Sequence, residues 1–227
     1  FAVTEDDFLF VTDGRFSLAA YDLRNVENNF PAFVGIVAQP GELLARSNAS
    51  KDIAMDSEGN LYLSDAENDR VYKYAASRFT RNDDGRVDFE AGELIGWNGR
   101  CQTNLTSVRA CDEINETSLG YACTDQLCGV GTTAGSAPGQ FNSPRGIAIN
   151  ARDVLYVTDF DNLRVQRFTP EGYFAGEAES ECDGSCFVLG DFGKPEDVTA
   201  NLDFFYVLDQ ERDLLHVFET TPITDFD

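Results

Sequence analysis

The sequence predicts an all-β fold of repeated four-stranded units, and three observations support this prediction. Similar stretches recur at residues 51–74, 145–168 and 194–218, with a weaker copy at 2–23. Within each stretch, short apolar runs of β-forming residues alternate with turn residues, which favours strands over helices. The copies repeat at a period of about fifty residues, and four short antiparallel strands per unit at such a period are typical of β-propeller blades.

An aspartate ends the main apolar run of each stretch and fixes the spacing of the repeats. These anchors are Asp13, Asp65, Asp159 and Asp209. The middle separation is about forty residues longer than the other two, which are close to a single period. A cysteine-rich insertion at 100–137 explains the excess, because that segment has little alternating apolar pattern. A hidden extra repeat is the rival explanation, but no similar strand run occurs between Cys101 and Phe141.

The apolar pattern within each repeat predicts four strands in the same order along the chain. An apolar first strand is expected at 53–55, 147–149 and 198–200. A second strand, ending at the anchor aspartate, is expected at 61–63, 155–157 and 205–207. A third strand, with one buried face, is expected at 71–74, 165–168 and 215–218. A fourth, outer strand is expected at 33–37, 93–97 and 172–177.

Residues 138–177 (PGQFNSPRGIAINARDVLYVTDFDNLRVQRFTPEGYFAGE) resemble an NHL repeat. The matching features are the Pro-x-Gly-Ile-Ala start, the Leu-Tyr-Val-x-Asp core and the Asn-x-Arg-Val-Gln-x-Phe close. The resemblance implies an NHL-type β-propeller, which most often has six blades. Four blades are visible, so residues 1–227 are expected to form a partial propeller with an exit linker at 220–227. Its first and last blades are expected to meet flanking sequence or another subunit.

The charge of the chain restricts its partners. Forty acidic and seventeen basic residues give a formal net charge of −23. Nucleic acid and anionic lipid would repel such a surface, because binding phosphate needs Lys and Arg. No apolar stretch approaches the roughly 18 residues of a membrane span. We therefore expect protein or glycan partners, without nucleic acid and without membrane insertion.

The cysteines and glycosylation motifs predict a secreted or cell-surface protein. The six cysteines are Cys101, Cys111, Cys123, Cys128, Cys182 and Cys186. The closest pairs, Cys123-x4-Cys128 and Cys182-x3-Cys186, resemble metal-ligand spacing, but the single histidine is far away in sequence. The even number of cysteines therefore favours disulfides over a metal site. We expect Cys182 to pair with Cys186 and the other four to pair among themselves. Asn48, Asn104 and Asn115 lie in Asn-x-Ser/Thr motifs, and the chain begins at Phe1 within strand-like sequence, which suggests a processed piece of a longer protein.

Calcium is the one cofactor for which the sequence offers a candidate site. Residues 81–93 contain an Asp-Gly loop in which Asn82, Asp84, Asp88 and Glu90 are possible ligands. The position that needs a bidentate glutamate holds Ala91, so a plain hairpin turn is the favoured interpretation.

The sequence assigns no catalytic residue. The anchor aspartates recur in every repeat, whereas a catalytic group needs one particular geometry, so we expect them to cap turns and to contact Arg70 and Arg164. The single histidine, His216, is insufficient for a histidine-based zinc site. We therefore predict a non-enzymatic binding or structural module of a larger secreted or cell-surface protein. The alternative is a calcium-dependent propeller hydrolase of the lactonase type.

Overall fold

A computed structural model describes residues 1–12, 18–27, 29–38, 50–100, 134–172, 174–177 and 192–220. Within these ranges the chain is built from strands, with one turn of 3-10 helix at Phe160–Asn162. The strands form four blade-like sheets and one separate hairpin. None of the described segments forms a helix with the length and apolarity that a membrane crossing needs. The predicted all-β propeller architecture is confirmed.

The first two sheets each have four antiparallel strands. Blade one contains β1 (Ala2–Val3), β2 (Phe8–Thr12), β3 (Leu18–Glu27) and β4 (Phe30–Ala38). Blade two contains β5 (Ser50–Met55), β6 (Leu61–Asp65), β7 (Arg70–Tyr74) and β10 (Leu94–Gly99). Between β7 and β10 the chain forms a hairpin of β8 (Arg78–Arg81) and β9 (Val87–Glu90).

The other two sheets follow the same order. Blade three contains β11 (Pro144–Ile149), β12 (Leu155–Asp159), β13 (Arg164–Phe168) and β14 (Phe174–Glu177). Blade four contains β15 (Pro195–Ala200), β16 (Phe204–Asp209) and β17 (Leu214–Glu219). The first strands begin about three residues earlier than the apolar pattern indicates, because a register irregularity lets them reach back to the anchor aspartate of the next strand.

Successive blades pack face to face, with their first strands side by side. β5 contacts both β1 and β11, and β11 also contacts β15. Alternation along each second strand sends its residues to opposite neighbours. Leu61 of β6 lies in the core shared with blade one, whereas Tyr62 lies in the core shared with blade three. In β12, Leu155 and Tyr156 divide in the same way between blades two and four.

The β8–β9 hairpin leaves blade two and packs on blade one. The ring of Phe79 stacks on that of Phe8 with 3.8 Å between centroids. The Phe89 ring lies against Gly35 of β4, where an added Cβ would come within 2.3 Å of it. The lack of a side chain at Gly35 therefore allows the hairpin to lie flat on the sheet.

Replacing Gly35 with alanine is expected to destabilise the fold by about 1–3 kcal/mol, the usual cost of overpacking. The added methyl group would displace the Phe89 ring and loosen the hairpin. Urea unfolding measures the loss. In a Phe89→Ala background the same substitution should cost much less, and an equal cost in both backgrounds would contradict this explanation.

Candidate functional site

The three anchor aspartates in the described residues are buried structural centres. Asp65, Asp159 and Asp209 are each 0 % exposed. The Asp159 carboxylate accepts hydrogen bonds from the Asn142 amide at 2.7 Å and from the Arg164 Nε at 2.8 Å. These contacts tie the loop before β11 and the start of β13 to the end of β12. Every oxygen of this aspartate is thus engaged by its own blade.

Asp65 and Asp209 make related contacts in their own blades. Asp65 accepts hydrogen bonds from the amides of Glu67 and Asn68, so it caps the turn after β6. Asp209 accepts the amides of Gly193 at 2.7 Å and Lys194 at 2.9 Å, which fasten the start of β15. Arg164 forms an ion pair with Asp159 at 2.8 Å. Arg70 is the strand partner of Asp65, and its guanidinium also stacks on the Trp97 ring at 3.8 Å.

Burial sets the titration of these carboxyls. It raises the pKa of Asp65 and of Asp159 above the ordinary value, although hydrogen bonds and the neighbouring arginines oppose the shift. Burial also opposes ionisation of Asp209, but the amides of Lys194 and Gly193 hold its pKa below the ordinary value. The hydrogen bonds of each anchor are made within its own blade, so these carboxyls act as structural groups.

His216 of blade four occupies the strand position that Gln166 occupies in blade three. It pairs with Val207 on β16, just as Gln166 pairs with Val157 on β12. The Gln166 Nε2 donates to Asp159 at 3.0 Å, and the His216 Nε2 lies 3.5 Å from the Asp209 carboxylate. The imidazole edge also packs on Phe192. The histidine therefore lies within the anchor network of blade four.

The loop considered for calcium forms the turn of the β8–β9 hairpin. Gly85 has a φ of +82°, a conformation that favours glycine at such a turn. Asp84 is 3.6 Å from Arg86, Glu90 is 3.6 Å from Arg78, and Asp88 accepts a hydrogen bond from the Asn82 amide group. Across the described ranges, no group of three or more His, Cys, Asp or Glu side chains is placed to hold a metal ion. The hairpin turn that the sequence favours is the one observed, and calcium at this turn stays the alternative.

An ion pair between a buried aspartate and a half-buried arginine, which sequence reasoning missed, fastens the same hairpin. Arg81 of β8 donates to both carboxylate oxygens of Asp22 on β3, at 2.5 and 2.6 Å. Its guanidinium also lies 4.6 Å over the Phe8 ring. The Arg81 hydrogen bonds hold the pKa of Asp22 below its usual value, although burial opposes the shift. Two residues fifty-nine positions apart give no local pattern, so only the fold brings them together.

Replacing Arg81 with methionine is expected to cost about 1.5–3 kcal/mol near neutral pH, the range for hydrogen bonds to charged groups. Because the folded pKa of Asp22 lies below the ordinary value of 3.8, its stabilising contribution is complete above that pH and is lost as the pH falls through the folded pKa. The wild-type and variant unfolding free energies, measured from pH 7 downward, should therefore converge only in acid. A difference that narrows between pH 5 and 7 would contradict this assignment.

Carboxylates from two blades lie on either side of β11, on the first strands. The amide of Ile147 donates to Asp52 of β5 at 3.1 Å. On the other side, a Cβ at Gly146 would come within 2.6 Å of the Asp197 carboxylate of β15. Burial raises the pKa of Asp52, and the charge of Asp197 adds to the shift. The lack of a side chain at Gly146 thus lets the first strand of blade four approach β11 closely.

Blade four carries an exposed apolar surface on the side away from blade three. We call its four residues Tyr206, Leu208, Leu215 and Val217 the blade-four face. Leu215 and Val217 are 63 % and 54 % exposed. In the third strand of each blade, one residue pairs with the anchor aspartate, and the next residue is Val71 in β7, Val165 in β13 and Leu215 in β17. Val71 and Val165 are each 0 % exposed, because the next blade covers them. The blade-four face therefore has the composition of an interface but no cover among the described residues.

Several sequence predictions lie outside the described residues. They concern Asp13, all six cysteines and the glycosylation motifs at Asn48, Asn104 and Asn115. Most of the predicted insertion at 100–137 also lies outside, but its last residues bind blade three, where the Arg164 guanidinium donates to the Ala137 carbonyl oxygen at 3.0 Å. Of the exit linker at 220–227, only Thr220 is described, and its amide donates to the Asp203 carbonyl oxygen.

The family model for the NHL repeat matches residues 141–168. No curated protein matches the sequence. The match covers the copy in which the motif is most complete, so the resemblance seen in the sequence is confirmed there. The chain carries an NHL repeat within a β-propeller fold.

Several solved structures are similar to this chain over most of its length. A structural genomics protein of unknown function from Bacteroides thetaiotaomicron has a TM-score of 0.54 at 12 % identity, over 96 % of this chain and 46 % of that one. An auxiliary nutrient binding protein from Bacteroides ovatus has a TM-score of 0.51 at 12 % identity, over 96 % and 46 %. A β-propeller domain from Myceliophteria thermophila has a TM-score of 0.49 at 8 % identity, over 95 % and 51 %. The chain spans about half the length of these structures.

Proposed function

We propose that this chain is a non-enzymatic binding and structural module, a propeller of a secreted or cell-surface protein that engages a protein partner through the blade-four face. The observation that carries the proposal is the exposure of Leu215 and Val217, at 63 % and 54 %, on a chain of net charge −23. Exposed apolar patches on soluble proteins mark interaction sites. Three of the four residues of the face are aliphatic, which favours a protein over a glycan, since sugars are bound mainly through hydrogen-bonding and aromatic side chains.

The strength of this interpretation lies in the contrast between blades. Val71 and Val165, which occupy the position of Leu215 in blades two and three, lie in cores shared with the next blade, so Leu215 stands at an interface position of the repeat. The net negative charge keeps such a surface soluble until a partner covers it. Localisation outside the cell rests on the cysteines and glycosylation motifs of the sequence.

A binding screen tests the proposal. The purified chain would be presented to an array of secreted proteins and to a glycan array, beside a Leu215→Ser/Val217→Ser variant. The proposal expects a protein partner whose binding is lost in the double variant and kept in an Ile95→Ser control, because Ile95 is 43 % exposed on blade two. Binding that is indifferent to the double substitution, or binding to glycans alone, would overturn the proposal.

One observation favours a calcium-dependent hydrolase as the second candidate. Asp52 and Asp197 bring carboxylates from two blades to the same strand, β11. Calcium prefers carboxylate and carbonyl oxygens. Calorimetric titration with calcium, and lactone hydrolysis with and without it, would support this candidate if both signals fell in an Asp52→Asn variant. Lactone turnover that is equal in wild type and Asp52→Asn would count against it.

A further inference from the structure

The three interfaces between described blades repeat one arrangement. One second-strand residue of a blade packs against two second-strand residues of the next blade along the chain. Tyr62 of blade two packs with Leu155 and Val157 of blade three. Tyr156 of blade three packs in the same way with Phe205 and Val207 of blade four. A third-strand aliphatic residue, Val71 or Val165, completes each contact. The arrangement is directional, because each blade presents one kind of face to the next blade along the chain (its forward face) and another kind to the preceding blade (its backward face).

Both kinds of face remain at the two ends of the described array. The blade-four face is a forward face, in which Tyr206 and Leu215 occupy the positions of Tyr62 and Val71 in blade two. The backward face of blade one consists of Leu9, Val11, Tyr21 and Phe33, and we call it the blade-one face. Phe33 is 59 % exposed and contacts Tyr21 edge-on at 5.8 Å. The described strands of blade one and blade four share no extensive contact with each other.

We propose that a second copy of this chain covers both faces, with the blade-four face of each copy on the blade-one face of the other. This inference rests on the proposed function and names its partner. Two head-to-tail contacts related by a two-fold axis close a ring, whereas contacts that do not close form filaments. The ring would have about eight blades, which is within the range of known propellers.

The repeated interface itself supports a second copy. One chain carries both members of that interface, the forward face on blade four and the backward face on blade one. A second copy therefore offers the complement of each face.

Charge predicts how this association depends on salt. Each copy has a net charge of −23, so two copies repel each other at low ionic strength. Salt screens exposed charges over about 10 Å at 0.1 M and leaves apolar contacts in place. The dimer should therefore strengthen as salt is added, in contrast to a complex held by ion pairs.

Sedimentation equilibrium of the full chain tests the inference, at concentrations from micromolar to hundreds of micromolar and at low and high salt. The wild type should approach twice its 25.0 kDa mass, more readily at high salt. Leu215→Asp/Val217→Asp and, separately, Phe33→Asp should each weaken association by about 100-fold or more, as expected for central interface residues. Ile95→Asp is the matched control and should leave the mass unchanged, and circular dichroism should show that all variants are folded.

Mixing the two variants distinguishes the head-to-tail arrangement from other dimers. A mixture contains one intact pair of faces, the Leu215/Val217 of one variant against the Phe33 of the other, so dimers should reappear on mixing. A wild type that stays monomeric at all concentrations would overturn the second-copy inference, while binding to another protein in the screen would leave the proposed function standing. A dimer lost in Leu215→Asp/Val217→Asp but unaffected by Phe33→Asp would also overturn it, since that result indicates two blade-four faces in contact.

Discussion

Replacing Asp159 with alanine is expected to lower the free energy of unfolding by about 3–5 kcal/mol, the range for breaking a buried ion pair. The substitution would leave Arg164, itself 8 % exposed, without its carboxylate partner at 2.8 Å. It would also leave the Asn142 amide without its acceptor, so the loop before β11 would lose one of its attachments. Denaturant unfolding followed by circular dichroism measures the effect.

A matched surface substitution isolates the cause. Asp161 lies two residues further along the chain and pairs with Lys194 on the surface, at 42 % and 34 % side-chain exposure. Because exposed ion pairs contribute about 0–1 kcal/mol, Asp161→Ala should change the stability little. Similar losses for the two variants would show that the buried network around Asp159 is not what stabilises blade three.

Replacing Trp97 with alanine is expected to cost about 3–5 kcal/mol, the usual range for a large aromatic side chain in a core. Trp97 is 0 % exposed on the outer strand of blade two and belongs to the core between blades one and two. Its loss would also remove the ring on which the Arg70 guanidinium stacks at 3.8 Å. The variant lacks the only tryptophan, so circular dichroism replaces fluorescence as the measurement.

Two substitutions serve as references for Trp97. Trp97→Phe keeps an aromatic ring under Arg70 and should recover much of the loss. Ile95→Ala, two residues earlier and 43 % exposed, should stay within about 0.5 kcal/mol of the wild type, as surface substitutions do. If Ile95→Ala were as costly as Trp97→Ala, the packing assigned to this strand would be wrong.

The repeat pattern predicted the second and third strands well because their residues alternate between two buried faces. Leu61 and Tyr62 show why, since each lies in a different core. The same alternation also indicated the blade-four face, because Leu215 is apolar at the position where Val71 and Val165 are buried in the other blades. Comparing the third strands position by position would have revealed this surface from sequence.

The β8–β9 hairpin and its contacts could not be predicted in the same way. The Asp-Gly turn indicates a hairpin but not the surface on which the hairpin packs. Phe79 on Phe8, and Arg81 with Asp22, join residues from different blades that share no periodic relation. The approach of Asp52 and Asp197 to β11 is likewise a product of blade packing, since their separation in sequence carries no signal.

The array of blades in which each sheet touches mainly its neighbours has a consequence for cooperativity. Stability in such an array is a sum of unit terms and nearest-neighbour coupling terms, so unfolding can begin at one end and propagate. Blade four has only one described neighbour, whereas blade three lies between two. Amide hydrogens of β16 and β17 should therefore exchange with solvent before those of β12 and β13. The last sheet would be a fraying end whose exchange slows when its free side is occupied.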